Sequence, residues 1–473
     1  MATIVEQLAR FTRHDSEYSR LPSDVVAESK RVLIDSLGCA LAAVDVKKGH
    51  QGIAHGLRLG AGNPQATIIG TGHKVSIFGA AWANAELINA LDFDAVLAPG
   101  HVAPYVLPAA LAVAEDRRAS GRELLSAIAA SHEMSFRFGT AMSLNRDVAN
   151  GRVSTADVLG YSSTIFGATA AVTRLQQLDD AVTANAIAIA GSITTVNSHR
   201  AWLGHAPSAT IKYLLSGWLA QSALTAASMA ELGHRGDLQI LDDPQYGYPK
   251  FIGTTRWEPG ALTDGLGVDW RFPAEQSYKP YPQVRITHAL VDAIIEIVEA
   301  NDIRPEEIER IHAWGEGWVM LPTFLNRDIQ DVHDAQFSMP HGLAVAAHRL
   351  VPGREWQDPD LVFSPSVSRL MDRVTIEPHP DFAVAISGHP AARPSRVEIT
   401  ARGETFVAER AFVKGSPSPD PSTYFTDEQL VEKFTHNAKG VITDQAAEAV
   451  VEMIGRLEQI DDVTIVIQLL TPR

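Results

Sequence analysis

At 473 residues the chain is longer than one hydrophobic core ordinarily supports, and 45% hydrophobic with 20% charged residues is the balance of a soluble globular protein. A formal net charge of −16 argues against nucleic acid or an anionic membrane as partner, so an anionic ligand would need a local basic pocket. The single cysteine, Cys39, excludes an intramolecular disulfide and a thiolate-held iron–sulfur cluster. No apolar run reaches the roughly 18 residues of a membrane-spanning helix. The opening MATIVEQLARFTRHD lacks the apolar stretch of a signal peptide, so a cytoplasmic location is expected.

To about residue 240 the chain reads as helices. PSDVVAESKRVLIDSLGCALAAV repeats apolar residues at helical spacing after a Ser23-Asp24 cap. VLPAALAVAEDRRASGRELLSAIAASHEMSFRFG reads as two helices, the first nearly all apolar, the second starting near Ser120 and Gly121. IFGATAAVTRLQQLD and ATIKYLLSGWLAQSALTAASMAELG continue the pattern, the latter placing Lys212 on the opening turns of an apolar helix. After about residue 250 the texture alternates, as in RIHAWGEGW, RVTIEPH and SRVEITARGETFVAERAF, with a hairpin turn expected at Arg402-Gly403. THALVDAIIEIVEAN and PHGLAVAAHRL interrupt these strands as helices, and helices return after the connector KGSPSPDPS. The expectation is a mainly helical protein with an α+β part. One helical domain is built from residues 1–265 and 415–473, with a smaller α+β lid, 266–414, inserted between them.

Several motifs fail on spacing. GLRLGAGNPQ lacks the third glycine of a dinucleotide site, SHEMSF the second histidine of a zinc helix, and GYSSTIFG the G-x-S-x-G of a nucleophile elbow. His199 and His205, six apart, are not a tight metal pair, and no metal is expected. What remains are cations and carboxylates in apolar surroundings. LDFDAVLAPGH crowds Asp92, Asp94 and His101; SYKPYPQVRITHALVDA brings Lys279, Arg285 and His288; and VLGYSST offers Tyr161. Each alone reads as a cap, a snorkelling lysine or a satisfied core histidine. Together they suit proton abstraction α to a carboxylate, because the dianion formed needs cations and hydrogen-bond donors already in place, with one group as base and another as acid.

The chain resembles the MmgE/PrpD family, which includes 2-methylcitrate dehydratase, cis-aconitate decarboxylase and iminodisuccinate epimerase. The resemblance is carried by RVLIDSLGCALAA, AAWANAELINALDFD, DAQFSMPHGLAVAA and KGSPSPDPSTYFTDEQLVEKF and runs nearly end to end. It implies a helical domain from both chain ends with an α+β lid, a homodimer, no cofactor, and a small anionic carboxylate substrate. Asp92 matches the family's first aspartate and His101 its active-site histidine. Lys212 looks like the lysine of the K…G helix, and Lys279 and His288 like the K…YP…H pair. On that resemblance Asp92 would orient a basic group, and His101 and His288 would handle protons. Lys212 and Lys279 would hold carboxylates; Arg285, from its place in SYKPYPQVRITHALVDA rather than from the resemblance, is a further candidate for substrate binding. The chain departs from the family at Ala95-Val96, at Asn84-Ala85, and at Asn89, where the family has a histidine. It also has Tyr161 and Ser162 where a second catalytic histidine belongs. The first expectation is therefore a lyase losing water or CO2 from a di- or tricarboxylate. An epimerase or isomerase using Tyr161 is the alternative, and a non-catalytic polycarboxylate binder the third.

Overall fold

The computed structural model describes residues 2–472 except 61, 144–145, 150–151 and 318–319. Helices dominate, and among the described residues the strands form one four-stranded sheet and three two-stranded pairs. The helix Ser23–Ala42 starts one residue earlier than its sequence cap suggests, because Pro22 takes the cap position. Ala103–Arg117 and Gly121–Ala141 form as the sequence predicts. A capping box between Ser120 and Glu123 sets the second start, and Arg118, at φ 52°, ends the first. Both are buried along almost their whole length, as their apolar sequence requires.

Close packing follows from small residues. The helix Lys47–Gly60 presents Gly52 and Gly56 to the helix Ile77–Asn89, while Gly49 packs on the Ala43 carbonyl and Gly60 on Ser76. A Cβ at Gly52 would lie 2.6 Å from Glu86 Cβ, and one at Gly56 2.6 Å from the Gly79 carbonyl oxygen. Only glycine lets these backbones approach so closely, and that approach lays Lys48 beside Glu86 and Asn89.

The alternating segments build a four-stranded sheet in the order Glu404–Arg410, Ser395–Ala401, Ile308–Gly315, Val374–Pro378. The first two pairings are antiparallel and the last is parallel. Arg402 and Gly403, at φ 55° and 75°, make the two-residue turn in which both positions are left-handed. The helix His288–Ala300 covers this sheet. Near the other end of the chain, Asp427–Ala438 lies against Ser23–Ala42. Among the described residues no helix is long and apolar enough to cross a membrane.

Candidate active site

Beyond Asn89 the backbone turns sharply, with Asp92 at φ 51°, and a short hairpin pairs Val96–Leu97 with Gly100–His101. Left-handed backbone costs a non-glycine residue free energy, though aspartate tolerates it better than most. The hairpin folds His101 back over the turn. Its Nδ1 lies 2.7 Å from Asp94 Oδ2 and its Nε2 3.5 Å from Asp92 Oδ1. A second strand of chain is tied alongside, since Val96 N–H donates to the Ser277 carbonyl at 2.7 Å and Ser277 N–H returns a bond at 2.9 Å. This brings Lys279 to the turn. Beneath both, Lys433 Nζ donates to Asp35 Oδ1 at 2.7 Å and to the carbonyls of Phe93 at 2.8 Å and Lys279 at 3.0 Å. Asp35 Oδ2 in turn accepts from Ala95 N–H at 3.1 Å.

Asp92 is shared by two buried ammonium groups. Lys212 Nζ donates to Oδ1 at 2.7 Å, and Lys279 Nζ donates to Oδ2 at 2.7 Å and to the Asp92 carbonyl at 2.8 Å. Burial disfavours the Asp92 charge, but Lys212, Lys279 and His101 outweigh it and hold the carboxyl well below the usual carboxylate range. Burial likewise opposes ionisation of Asp94, and His101 overcomes it. Burial lowers His101 below its ordinary value, against the pull of Asp94. His101 is therefore neutral at pH 7. Asp94 holds its proton on Nδ1 and leaves the Nε2 lone pair free to accept one.

His101, Asp92, Lys279, Arg285 and Tyr161 line one cavity of ≈ 110 Å³, and a larger one of ≈ 630 Å³ adjoins it, sharing Val96, Arg146 and Arg285. Arg285 donates to the Tyr278 carbonyl and to the hydroxyls of Ser277 and Ser416; burial, then Arg393, lowers it to about 9, so it stays a cation near neutral pH. Burial pushes the Tyr161 hydroxyl up to about 12, making it a proton donor rather than a base. Two residues fall elsewhere than the sequence suggests. Lys212 precedes its helix, which starts at Ser216, and takes φ 55° in a turn behind Asp92, outside the cavity lining. His288 does not line the cavity. Its Nε2–H donates to the Gln283 carbonyl at 2.9 Å and its Nδ1 faces Arg285 Nη1 at 3.3 Å, so the neutral ring braces Arg285. Burial, Arg285 and Lys279 hold it well below its ordinary value.

Sequence reasoning missed the partner of His101, because nothing in LDFD distinguishes Asp94 from Asp92. It also missed Arg146, His199, Trp202 and Tyr213, which complete the cavity wall. Tyr213 stacks on Tyr161 with centroids 4.3 Å apart, and both rings lie within 6.4 Å of His101. A tyrosine following Lys212 was the one local signal. Gly100, at φ 152°, is required here, since an added Cβ would stand 2.2 Å from the Tyr161 ring. Gly100→Ala is expected to displace Tyr161 and lower kcat by about tenfold or more while the protein still folds, checked by kinetics beside circular dichroism.

Asp92, Asp94 and His101 place donor atoms within 4.8 Å of one another, the one such group found among the described residues. Both Asp92 oxygens receive lysine protons and Asp94 accepts from His101. A cation would have to displace an ammonium, so the donor set fits side-chain compensation better than a metal.

Residues 6–259 match the MmgE/PrpD N-terminal domain and residues 281–459 the MmgE/PrpD C-terminal domain. The chain is 25% identical to the cis-aconitate decarboxylase of Mus musculus over 97% of its own length and 91% of that protein. It is 24% identical to the human cis-aconitate decarboxylase, with 97% and 92% covered. A cis-aconitate decarboxylase-like protein of Aspergillus oryzae is 24% identical, with 96% and 94% covered. With both domains matched across a turn that carries the His101–Asp94 pair and the doubly paired Asp92, the chain belongs to the MmgE/PrpD family.

Proposed function

We propose that the protein is a cofactor-independent lyase that removes a proton α to a carboxylate of a small di- or tricarboxylate, with loss of water or CO2. The observation that carries this is the neutral His101, oriented by Asp94, facing a cavity whose wall also holds the cations Lys279 and Arg285. His101 Nε2 takes the proton. The C–H electron pair enters the carboxylate, and the cations offset the negative charge that develops there. For loss of water the pair then returns to form a C=C bond as the C–OH bond breaks, and Tyr161 protonates the departing oxygen; for loss of CO2 a C–CO2 bond breaks in place of the C–H bond, its electron pair stays on carbon beside the cations, and Tyr161 protonates that carbon. The decarboxylase relatives support the substrate class.

An epimerase or isomerase is the second reading. It is favoured by Tyr161 and His101 meeting on one cavity with ring centroids 6.4 Å apart, since return of a proton at one carbon needs only two such groups. Proton NMR in D₂O with 2-methylcitrate, citrate, cis-aconitate and an amino-dicarboxylate separates the readings. New olefinic signals or a lost carboxylate mark the lyase, and deuterium entering an intact skeleton marks the epimerase. No change with any substrate, together with ligand-induced thermal stabilisation, would leave a carboxylate-binding protein. Because the base must be neutral, kcat/KM is expected to be flat near pH 7 and to fall toward tenfold per pH unit below the His101 value, which lies under 6.5.

A further inference from the structure

Behind the cavity, a chain of polar side chains runs from His101 toward the outside. His101 Nδ1–H donates to Asp94 Oδ2 at 2.7 Å, Asn89 Nδ2–H donates to Asp94 Oδ1 at 3.2 Å, and Lys48 Nζ donates to Asn89 Oδ1 at 3.2 Å. Asp94 and Asn89 are essentially inaccessible at 0% and 1% exposure, whereas the Lys48 side chain keeps 16%. Lys48 also lines a separate cavity of ≈ 60 Å³ with Thr210, Asp331, His333 and Gln336. It reaches Asn89 only because the glycine stripe of its helix lets the two backbones close.

We propose that Lys48 is a positioning residue that sets the proton affinity of His101 through Asn89 and Asp94. The inference rests on the reading of His101 as the base. Asp94 has two oxygens, and the histidine uses one. An amide held at the other by a cation fixes the carboxylate's rotation and draws charge away from the oxygen facing Nδ1. It also adds positive charge behind the dyad. Both effects make protonated His101 less stable and keep Nε2 available as an acceptor.

The groups facing Lys48 are Glu86 at 3.8 Å and, through space, Lys212, Asp92, Asp94 and His333. Burial lowers Lys48 to about 8, against Glu86. It is therefore charged throughout the range in which His101 titrates, and its influence on the acid limb is constant. The Asn89 amide both accepts from Lys48 and donates to Asp94.

The test is an NMR titration of the His101 imidazole in the full-length protein, assigned with His101→Asn, beside the kcat/KM profile. Lys48→Met is expected to raise the His101 value by about half to one pH unit and to move the acid limb up with it. Lys48→Arg, which keeps the charge, is expected to restore the wild-type value. Should Lys48→Met not fold, Asn89→Leu cuts the same link while leaving the Lys48 charge beside Glu86, and an upward shift smaller than that of Lys48→Met is expected. An unchanged His101 titration in a folded Lys48→Met or Asn89→Leu protein would overturn the proposal and reduce Lys48 to an ion-pair partner of Glu86. The titration needs no substrate, so it stands even if no polycarboxylate is turned over.

Discussion

Asp94→Asn is expected to lower kcat by about 10³–10⁴-fold with little change in KM. The argument is one of proton placement. The wild-type carboxylate accepts from both sides, from Asn89 Nδ2 at 3.2 Å and from His101 Nδ1 at 2.7 Å. An amide in its place has one acceptor and one donor. Its oxygen goes to the Asn89 amide, so its NH₂ faces His101 Nδ1. The imidazole then carries its proton on Nε2, the nitrogen that must be empty to take one from substrate. The substitution is nearly isosteric, so the melting temperature is expected to stay within a few degrees. Steady-state kinetics and loss of α-deuterium exchange check it. A rate within tenfold of wild type would show that His101 is not the base.

Asp92→Asn is expected to act on stability as strongly as on rate. It removes the carboxylate that is ion-paired to both Lys212 and Lys279, and breaking a buried pair costs about 3–5 kcal/mol because an unpaired charge remains. A fall of about 5–10 °C in apparent Tm near pH 7 is the expected size. The pH dependence has a defined sign. In the wild type the folded Asp92 value is depressed, so its contribution is fully present above the unfolded carboxylate value and is lost as pH falls through the folded one. In the variant Lys279, already lowered by burial, loses the Asp92 charge that opposes this, so its folded value falls further below the unfolded lysine value. The deficit is therefore largest at neutral pH and shrinks as pH approaches the lysine range. Thermal melts from pH 6 to 9.5 measure both. Adding Lys212→Met is expected to recover part of the loss, because one uncompensated cation is removed with it. Equal Tm values for wild type and Asp92→Asn across this range would exclude the shared ion pair as a stabilising element.

The helices and the sheet were legible because burial imposes periods of 3.6 and 2 on sequences such as PSDVVAESKRVLIDSLG and SRVEITARGETF. Part of the site was legible for a related reason. Charges in apolar sequence must find partners, so Asp92, His101 and Lys279 pointed to one another before any fold was known. What could not be read was which partner each found. Asp92 and Asp94 are two residues apart, and a left-handed backbone at Asp92 decides which of them meets the lysines and which the histidine. His288 has the spacing of a site residue, yet the turn Arg285–Thr287 sends its ring against Gln283 and Arg285. Arg146 and His199 join the cavity wall only through tertiary packing, which leaves no local trace.

The clamp formed by Lys433 bears on the order in which the molecule can become competent. Lys433 fixes the Phe93 carbonyl across 340 residues of chain and the Lys279 carbonyl across 154. During synthesis every side chain that lines the cavity has left the ribosome before Lys433 does. These contacts cannot form before residue 433 is made, and each closes a large loop. Until then Asp35 is a buried carboxylate without its cation, and the turn bearing Asp92 and Asp94 lacks its floor. A chain lacking Lys433 would carry every cavity residue without the clamp beneath the turn, so the helix Asp427–Ala438 contributes to the site without lining it.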